Sequence, residues 1–218
     1  MQGELFGSIE DLQGRFNINN LVDQNGEVDQ LSLEQFQRLL IVLDLDPRFA
    51  GIAADWIDTN REPAFPDGAE DAIYTGLLPA YRAANVSLTN ATELAALEGM
   101  DPQTLEVLLP HVVALPGRTA INVNTATPEV LQSLDENLSS SDVEGLISDR
   151  AEGGFADVES TFSALVSPDV LPLLEESSSY FQLRVVVQIA TVRIIYFSTL
   201  QRGAQGGVVP ILRSFGTS

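Results

Sequence analysis

The spacing of hydrophobic residues changes character twice along the chain. Over residues 4–22, Leu12, Phe16, Ile18 and Leu21 stand among polar residues, punctuated by Gly14 and Asn19-Asn20, which predicts a strand followed by a bend. Asn25-Gly26 marks a tight turn. Ser32 then opens a predicted helix, with Gln35 completing a capping box and Leu33, Phe36, Leu39, Leu40 and Leu43 recurring at helical spacing. Residues 86–175 read as a run of short capped helices. Thr89 or Thr92 starts one that Gly99 ends, while Asp101-Pro102 and Thr127-Pro128 each put proline at a first helical position, where its missing N–H costs nothing. Ser141 with Glu144 forms another capping box ahead of Gly153-Gly154, and Asp157 caps a last helix carrying Phe162 and Leu165. Helices this short hold only by packing on one another, so they predict one helical domain.

After Ser177-Ser178-Ser179 the period becomes two. Leu183, Val185, Val187 and Ile189 alternate with Arg184, Val186 and Gln188, and two further apolar runs follow, Arg193–Phe197 and Val208–Leu212, with Gly203 and Gly206-Gly207 at the last turn. Strand residues thus open and close the chain and helices fill its middle. The economical fold is α+β: an antiparallel sheet in which the first strand joins the last three, with the helical domain inserted between them. The expected divisions are 4–29 for the first strand region, 30–176 for the inserted helices and 177–218 for the closing strands.

Charge changes the picture. There are 31 acidic side chains against 11 basic ones, all arginine, for a net charge of −20. A nucleic-acid backbone is gripped by cationic side chains that release counterions, so this balance predicts no nucleic-acid binding, and an anionic membrane surface is disfavoured for the same reason. Excess carboxylates suit hard divalent cations, calcium above all. With no cysteine, disulfides and thiolate metal sites are excluded. Met1-Gln2-Gly3 reads as an added scar ahead of Glu4, with no signal peptide, and the most apolar stretch, Val185–Phe197, is too short and too polar for a membrane span.

The densest chemistry lies in 55–71. Asp55, Asp58, Asn60, Glu62, Asp67, Glu70 and Asp71 put seven oxygen-bearing side chains within 17 residues, on a backbone that Pro63, Pro66 and Gly68 bend. Calcium takes six to eight oxygens, and Asp58-x-Asn60-x-Glu62 offers alternate side chains that can face inward, with Asp67, Glu70 and Asp71 closing the loop from its far side. The same stretch also reads as a solvated acidic loop capping the next helix. Asp23-x-Asn25-Gly26-Glu27 resembles the start of an EF-hand loop, but its sixth position is Val28 where that loop needs glycine, so a plain turn is expected. Catalysis has little to stand on. The single histidine, His111, sits in an apolar stretch and reads as a packing residue, Trp56 reads as an anchor for the acidic loop, and no nucleophile elbow is present.

Residues 122–155, with Asn122-Val123-Asn124-Thr125-Ala126, Leu131, Ile147, Arg150 and Gly154-Phe155, resemble a helix-hairpin-helix (SAM-like) module. Its hairpin, Leu134-Asp135-Glu136-Asn137-Leu138, has no glycine and two carboxylates, so phosphate chemistry is not expected of it. Asp11-Leu12-Gln13-Gly14-Arg15-Phe16-Asn17-Ile18-Asn19-Asn20-Leu21, then Asp55-Trp56-Ile57-Asp58, Gly68-Ala69-Glu70-Asp71 with Tyr74, Leu115-Pro116 and Ile121–Ala126, and finally Ser179-Tyr180-Phe181 resemble, in order, the large minor pseudopilin of type II secretion systems, the general secretion pathway protein K family. The resemblance implies a pilin-like sheet with a bulky helical insertion. It also implies a structural, non-enzymatic subunit that caps the pseudopilus tip in complex with the I-type and J-type minor pseudopilins, and calcium in the acidic region. Family members are single-pass inner-membrane proteins with the folded part in the periplasm; their apolar amino-terminal helix is not among these 218 residues. Thr59 and Asn60 stand where more carboxylates would be expected. Two rivals remain at this point: a calcium-stabilised periplasmic module that recognises an exported protein or glycan, and a hydrolase with two carboxylates facing each other across a cleft, at about 5–10 Å.

Overall fold

The computed structural model describes residues 3–203 and 205–216. Met1 and Gln2, read above as part of a scar, lie outside them, as do Ala204, Thr217 and Ser218. In chain order the elements are β1 (Gly3–Asp11), β2 (Phe16–Asn17), α1 (Gln30–Val42), α2 (Phe49–Ile57), α3 (Asp71–Tyr74), α4 (Pro102–Leu108), β3 (Val112–Val113), β4 (Ile121–Asn122), α5 (Pro128–Ser133), α6 (Ser140–Ala151), α7 (Val158–Phe162), β5 (Leu174–Glu175), β6 (Tyr180–Ile189), β7 (Val192–Arg202) and β8 (Val208–Phe215), with short 3-10 segments between some of them. Two units divide the chain: a sheet unit formed by its two ends, up to Gln13 and from Ser177, and a helical unit, Gly14–Glu176.

In the sheet unit the order is β1-β6-β7-β8, antiparallel throughout, so the first strand does join the last three. Because side chains alternate across a strand, the register Leu5↔Val187, Val187↔Ile194 and Tyr196↔Phe215 gathers apolar residues on one face. Pro210 sits on the edge strand β8, next to an irregularity at Thr199/Leu200, where a missing ladder donor is tolerated. Where the chain leaves and re-enters the sheet, its two ends are tied together within the sheet unit. There Leu12 N–H donates to Tyr180 O, Ser178 Oγ donates to Asp11 Oδ2 at 2.7 Å, and Gln13 Oε1 accepts from Ser179 N at 2.6 Å.

The boundary on the amino side differs from expectation. Residues 14–29 belong to the helical unit, not to the sheet. Phe16 and Asn17 pair in parallel with Val112 and Val113, and Phe16, Ile18 and Leu21 are wholly buried in the helical core, where Phe16 stacks on Phe36 at 5.2 Å. The reason lies in the asparagines that read as bend punctuation. Asn19 Nδ2 donates to Leu88 O and Leu115 O, both at 2.9 Å, while its Oδ1 accepts from Leu88 N. Asn17 and Asn20 bind the 115–119 segment in the same way. Each buried amide satisfies backbone groups of a loop that has no ladder of its own.

Several helix starts also move. Asp29, not Ser32, caps α1, its carboxylate accepting from Ser32 N; Ser139 with Asp142, not Ser141 with Glu144, forms the capping box of α6. Asn90 with Glu93 caps the short 3-10 segment that leads toward Gly99. Asp101, Thr127 and Asp157 cap their helices as expected. The helix α2 has no side-chain cap and was not expected; it takes Asp55 out of the acidic loop and places it in a last helical turn.

Candidate metal centre

The acidic loop starts where α2 stops. Asp58 is the C-cap of that helix, its N–H on Ala54 O, and Asp55 lies one turn earlier. Carboxylates at a helix C-terminus face the negative end of the helix dipole, so nothing in the helix itself favours them there. Both are fully buried, and Oδ1 of each has no hydrogen-bond partner. Asp55 Oδ2 accepts from Ala64 N at 3.0 Å, which folds the loop back over the helix, and a Cβ at Gly68 would collide with that same Oδ2 and with Ala64 N. Glu70, 3% exposed, caps α3 and returns to the same place. Beneath them Trp56 meets Tyr74 edge-on at 4.9 Å, the anchoring role expected of it.

The electrostatics follow from that crowding. Burial raises the pKa of Asp55 to about 6, opposed by its bond from Ala64 and reinforced by the Glu70 charge. Burial raises Asp58 to about 7, with the charges of Asp55 and Glu70 adding to the shift. Two amides stand among these carboxylates. Asn60 Nδ2 donates to Asp58 Oδ2 at 2.6 Å, and Asn85 Nδ2 donates to Glu70 Oε1 at 3.3 Å and to the backbone oxygen of Asn60.

Of the six side chains expected to hold a metal, Asp58, Asn60 and Glu70 come together. Asp71 does not point there: its carboxylate binds Arg82 at 2.9 Å and accepts from Ala83 N. Glu62 is exposed, its N–H closing a turn on Asn60 Oδ1, and Asp67 lies beside Gly51 of α2 with its charge acting on Arg48. Asp55, counted in the acidic stretch but not among those six, and Asn85, outside the stretch, also join the cluster. The i, i+3 spacing of Asp55 and Asp58 could have revealed the first; no local signal marks the second. Among the described residues no three acidic or histidine side chains form a ready cage for a metal. What exists is a cluster of buried carboxylates with two amides beside it. Two buried, unpartnered carboxylate oxygens with an acidic third neighbour fit a hard cation, since oxygen is what such an ion requires and unpaired buried charge is what it relieves.

Elsewhere the other residues weighed for chemistry are held by contacts within the fold. Asp23 Oδ1 accepts from Asn25 N and Glu27 N, a plain turn with Gly26 at φ 80°. His111 Nδ1 lies 2.9 Å from Thr127 Oγ1, and burial lowers its pKa. Helices α5 and α6 form the hairpin pair, and Asp135 in the hairpin is itself the anion at its centre. It accepts from Asn137 N and Nδ2 and from Ser167 N and Oγ, at 2.7–3.0 Å. Burial works to raise its pKa, yet the bonds from Ser167 and Asn137 prevail and bring it to about 2.

The fold is a small antiparallel sheet whose first two strands are separated in sequence by an acidic helical unit, and comparison with known proteins gives the family. Two family models, both described as type II secretion system protein K, match residues 14–117 and 121–178. The type II secretion system protein K of Pseudomonas aeruginosa is 36% identical over 98% of this chain and 66% of its own length. That of Aeromonas hydrophila is 28% identical over 98% of this chain and 71% of its own. A chain of the GspK-GspI-GspJ complex from the enterotoxigenic Escherichia coli type 2 secretion system covers the whole of this chain and 81% of its own, with a TM-score of 0.87 and 25% identity. The chain belongs to the type II secretion system protein K family. It spans about two thirds of the length of the Pseudomonas relative.

Proposed function

We propose that this chain is the folded part of a minor pseudopilin that assembles with I-type and J-type minor pseudopilins at the tip of a type II secretion pseudopilus. The observation that carries the reading is the insertion of a whole acidic helical unit between the first and second strands of a small antiparallel sheet, shared along its full length with a solved protein crystallised in such a complex. The role is structural and non-catalytic. In this reading the folded part works in the periplasm, tethered to the inner membrane as the family resemblance implies; among the described residues no helix is long and apolar enough to span a membrane. Mixing the protein with purified I-type and J-type partners tests the reading: a stable ternary peak on gel filtration is expected, and three separate peaks would reject it. The rival module that binds an exported protein or glycan alone would ignore those partners.

We further propose that the 55–70 pocket holds calcium, with Asp55, Asp58 and Glu70 as carboxylate ligands and Asn60 at its edge. Bound there, the ion would neutralise mutually repelling carboxylates and link α2 to the start of α3. A ligand of the folded state alone stabilises it by about 2.7 kcal/mol at a hundredfold excess over its Kd. Chelation should lower the melting temperature and calcium restore it. Asp58→Ala should abolish the response, while Asp23→Ala and Asp71→Ala, whose carboxylates are engaged elsewhere, should keep it. Magnesium should substitute poorly because its small octahedral shell tolerates irregular protein oxygens less. An unchanged melting curve in metal-free protein would reject the site.

A further inference from the structure

We propose that the outer edge of β1 takes up an extended segment of a second protein as a fifth strand of the sheet. The segment it fits has apolar side chains opposite Leu5 and Ile9, an aromatic one opposite Gly7 and a cation opposite Glu4.

The two edges of the sheet are unlike. In the order β1-β6-β7-β8 the outer strands are β1 and β8. β8 carries Pro210, which has no N–H to give, and its register against β7 is broken at Thr199/Leu200. Both features discourage a further strand. β1 has neither. It pairs with β6 without a shift from Gly3↔Ile189 to Asp11↔Phe181, and it is exposed from Gly3 to Glu10. Among the described residues no strand lies on its outer side. A chain laid along such an edge is held by main-chain hydrogen bonds, while its alternate side chains meet the two faces of the sheet.

Gly7 is the informative residue. A glycine inside a strand weakens it, and is kept where the backbone is crowded, where φ is positive, or where another chain comes close. The first two conditions do not hold here. A Cβ at Gly7 would meet nothing nearer than Arg184 O, at 3.9 Å, and its φ lies outside the left-handed region. On this face Gly7 leaves bare backbone between the exposed Leu5 and Ile9, beside Val187, Val185 and Leu183. An aromatic ring on an adjoining strand covers such a gap. Charge gives the sign of the partner. All four arginines of the sheet unit lie on β6, β7 and β8, and on β1 Glu4 faces the neutral Gln188. A cation opposite Glu4 on the new strand supplies the pairing that β6 does not. A second copy of β1 would bring carboxylates and no cation, so it fits less well.

The probe is a peptide matched to β1 in length, with valine opposite Leu5 and Ile9, tyrosine opposite Gly7 and arginine opposite Glu4, added to the whole chain. Saturable binding is expected, with amide exchange slowed within residues 3–11. N-methylation of alternate peptide residues, tried in both registers, should in one of them weaken binding more than ~tenfold, because several ladder bonds are lost together. Exchanging the tyrosine for alanine should cost the wild type ~fivefold. The same exchange should cost Gly7→Val less than ~twofold, with its melting temperature held or raised because valine suits a strand. Glu4→Arg should prefer a peptide with glutamate in place of arginine, which separates pairing at the edge from general attraction to the acidic helical unit. Binding that survives N-methylation in both registers, or that a scrambled peptide of equal charge reproduces, overturns the proposal. An equal tyrosine advantage in Gly7→Val overturns it as well. So does protection of β1 that appears without peptide and rises with protein concentration, the mark of a second copy on this edge.

Discussion

The two units carry opposite surfaces. The sheet unit holds three of the 31 carboxylates, Glu4, Glu10 and Asp11, and four of the 11 arginines, Arg184, Arg193, Arg202 and Arg213, for a net charge of +1. The helical unit holds all the rest and stands at −21. Burial divides them equally sharply. Leu5 is 70% exposed and Phe215 75%, whereas Phe16, Ile18, Leu39 and Phe162 of the helical unit are sealed from solvent. The sheet is organised by its backbone ladder and by side chains paired across strands. The helical unit, made of segments too short to stand alone, is organised by a core and by polar side chains that bond loop backbone. Removing a single side chain should therefore be costly in the helical unit and cheap in the sheet.

The largest effect is expected at Asn19. Asn19→Ala would strip partners from Leu88 N, Leu88 O and Leu115 O inside the core, and each orphaned buried group costs about 1–3 kcal/mol. A loss of about 3 kcal/mol in chemical denaturation is expected, with faster amide exchange at 85–90 and 113–119. A loss below ~1 kcal/mol would mean that the buried asparagines do not organise this unit.

How far all this was legible depends on whether the deciding interaction is local. The sheet was readable because a period of two persists through β6 and β7, and no alternative placement keeps those apolar residues together. Helices opened by Asp101-Pro102 and Thr127-Pro128 were readable because cap and proline agree. At α6, Ser139, Ser140 and Ser141 are all competent caps, and the choice of Ser139 rests on burying Val143 and Leu146, which local chemistry does not reveal. The helix α2 has neither a side-chain cap nor a first-turn carboxylate, so Asp55 looked like part of the loop. Asn19-Asn20 looked like a bend because the groups they serve lie 69 to 99 residues away. The carboxylate pocket was located by composition, but its membership was not, since Asn85 reaches it only through the fold.

A smaller effect is expected where the acidic unit turns a carboxylate to structural use. Asp135 has its pKa lowered to about 2 by the donors of Ser167 and Asn137. A depressed carboxylate stabilises the fold at pH values above its unfolded pKa, near 3.8, and that contribution disappears as pH falls through about 2. Asp135→Asn should cost about 2 kcal/mol at neutral pH, and the gap between wild type and variant should close below pH 2–3. A gap that persists undiminished in acid would assign the loss to packing and not to charge.

The smallest effect belongs to the sheet unit. Arg202 lies with its guanidinium carbon 5.8 Å from the centre of the Phe181 ring, and the two residues are on neighbouring strands, β7 and β6. In the helical unit the exposed arginines tested by the same logic have carboxylate partners, Asp71 for Arg82 and Asp46 for Arg48, so salt should weaken what they contribute. A cation facing a ring interacts with its quadrupole, at exposed sites by about 0.5–1 kcal/mol, and at short range. The cycle Arg202→Ala, Phe181→Ala and the double variant should give a coupling energy of that size, holding between low and high salt. The Arg82–Asp71 cycle should start no larger, since exposed pairs reach only about 0.2–1 kcal/mol, and should shrink as salt is added. If the Arg202–Phe181 coupling proved salt-sensitive or absent, the sheet would depend on its backbone ladder and apolar cross-strand pairs alone, and its arginines would be spectators of the fold.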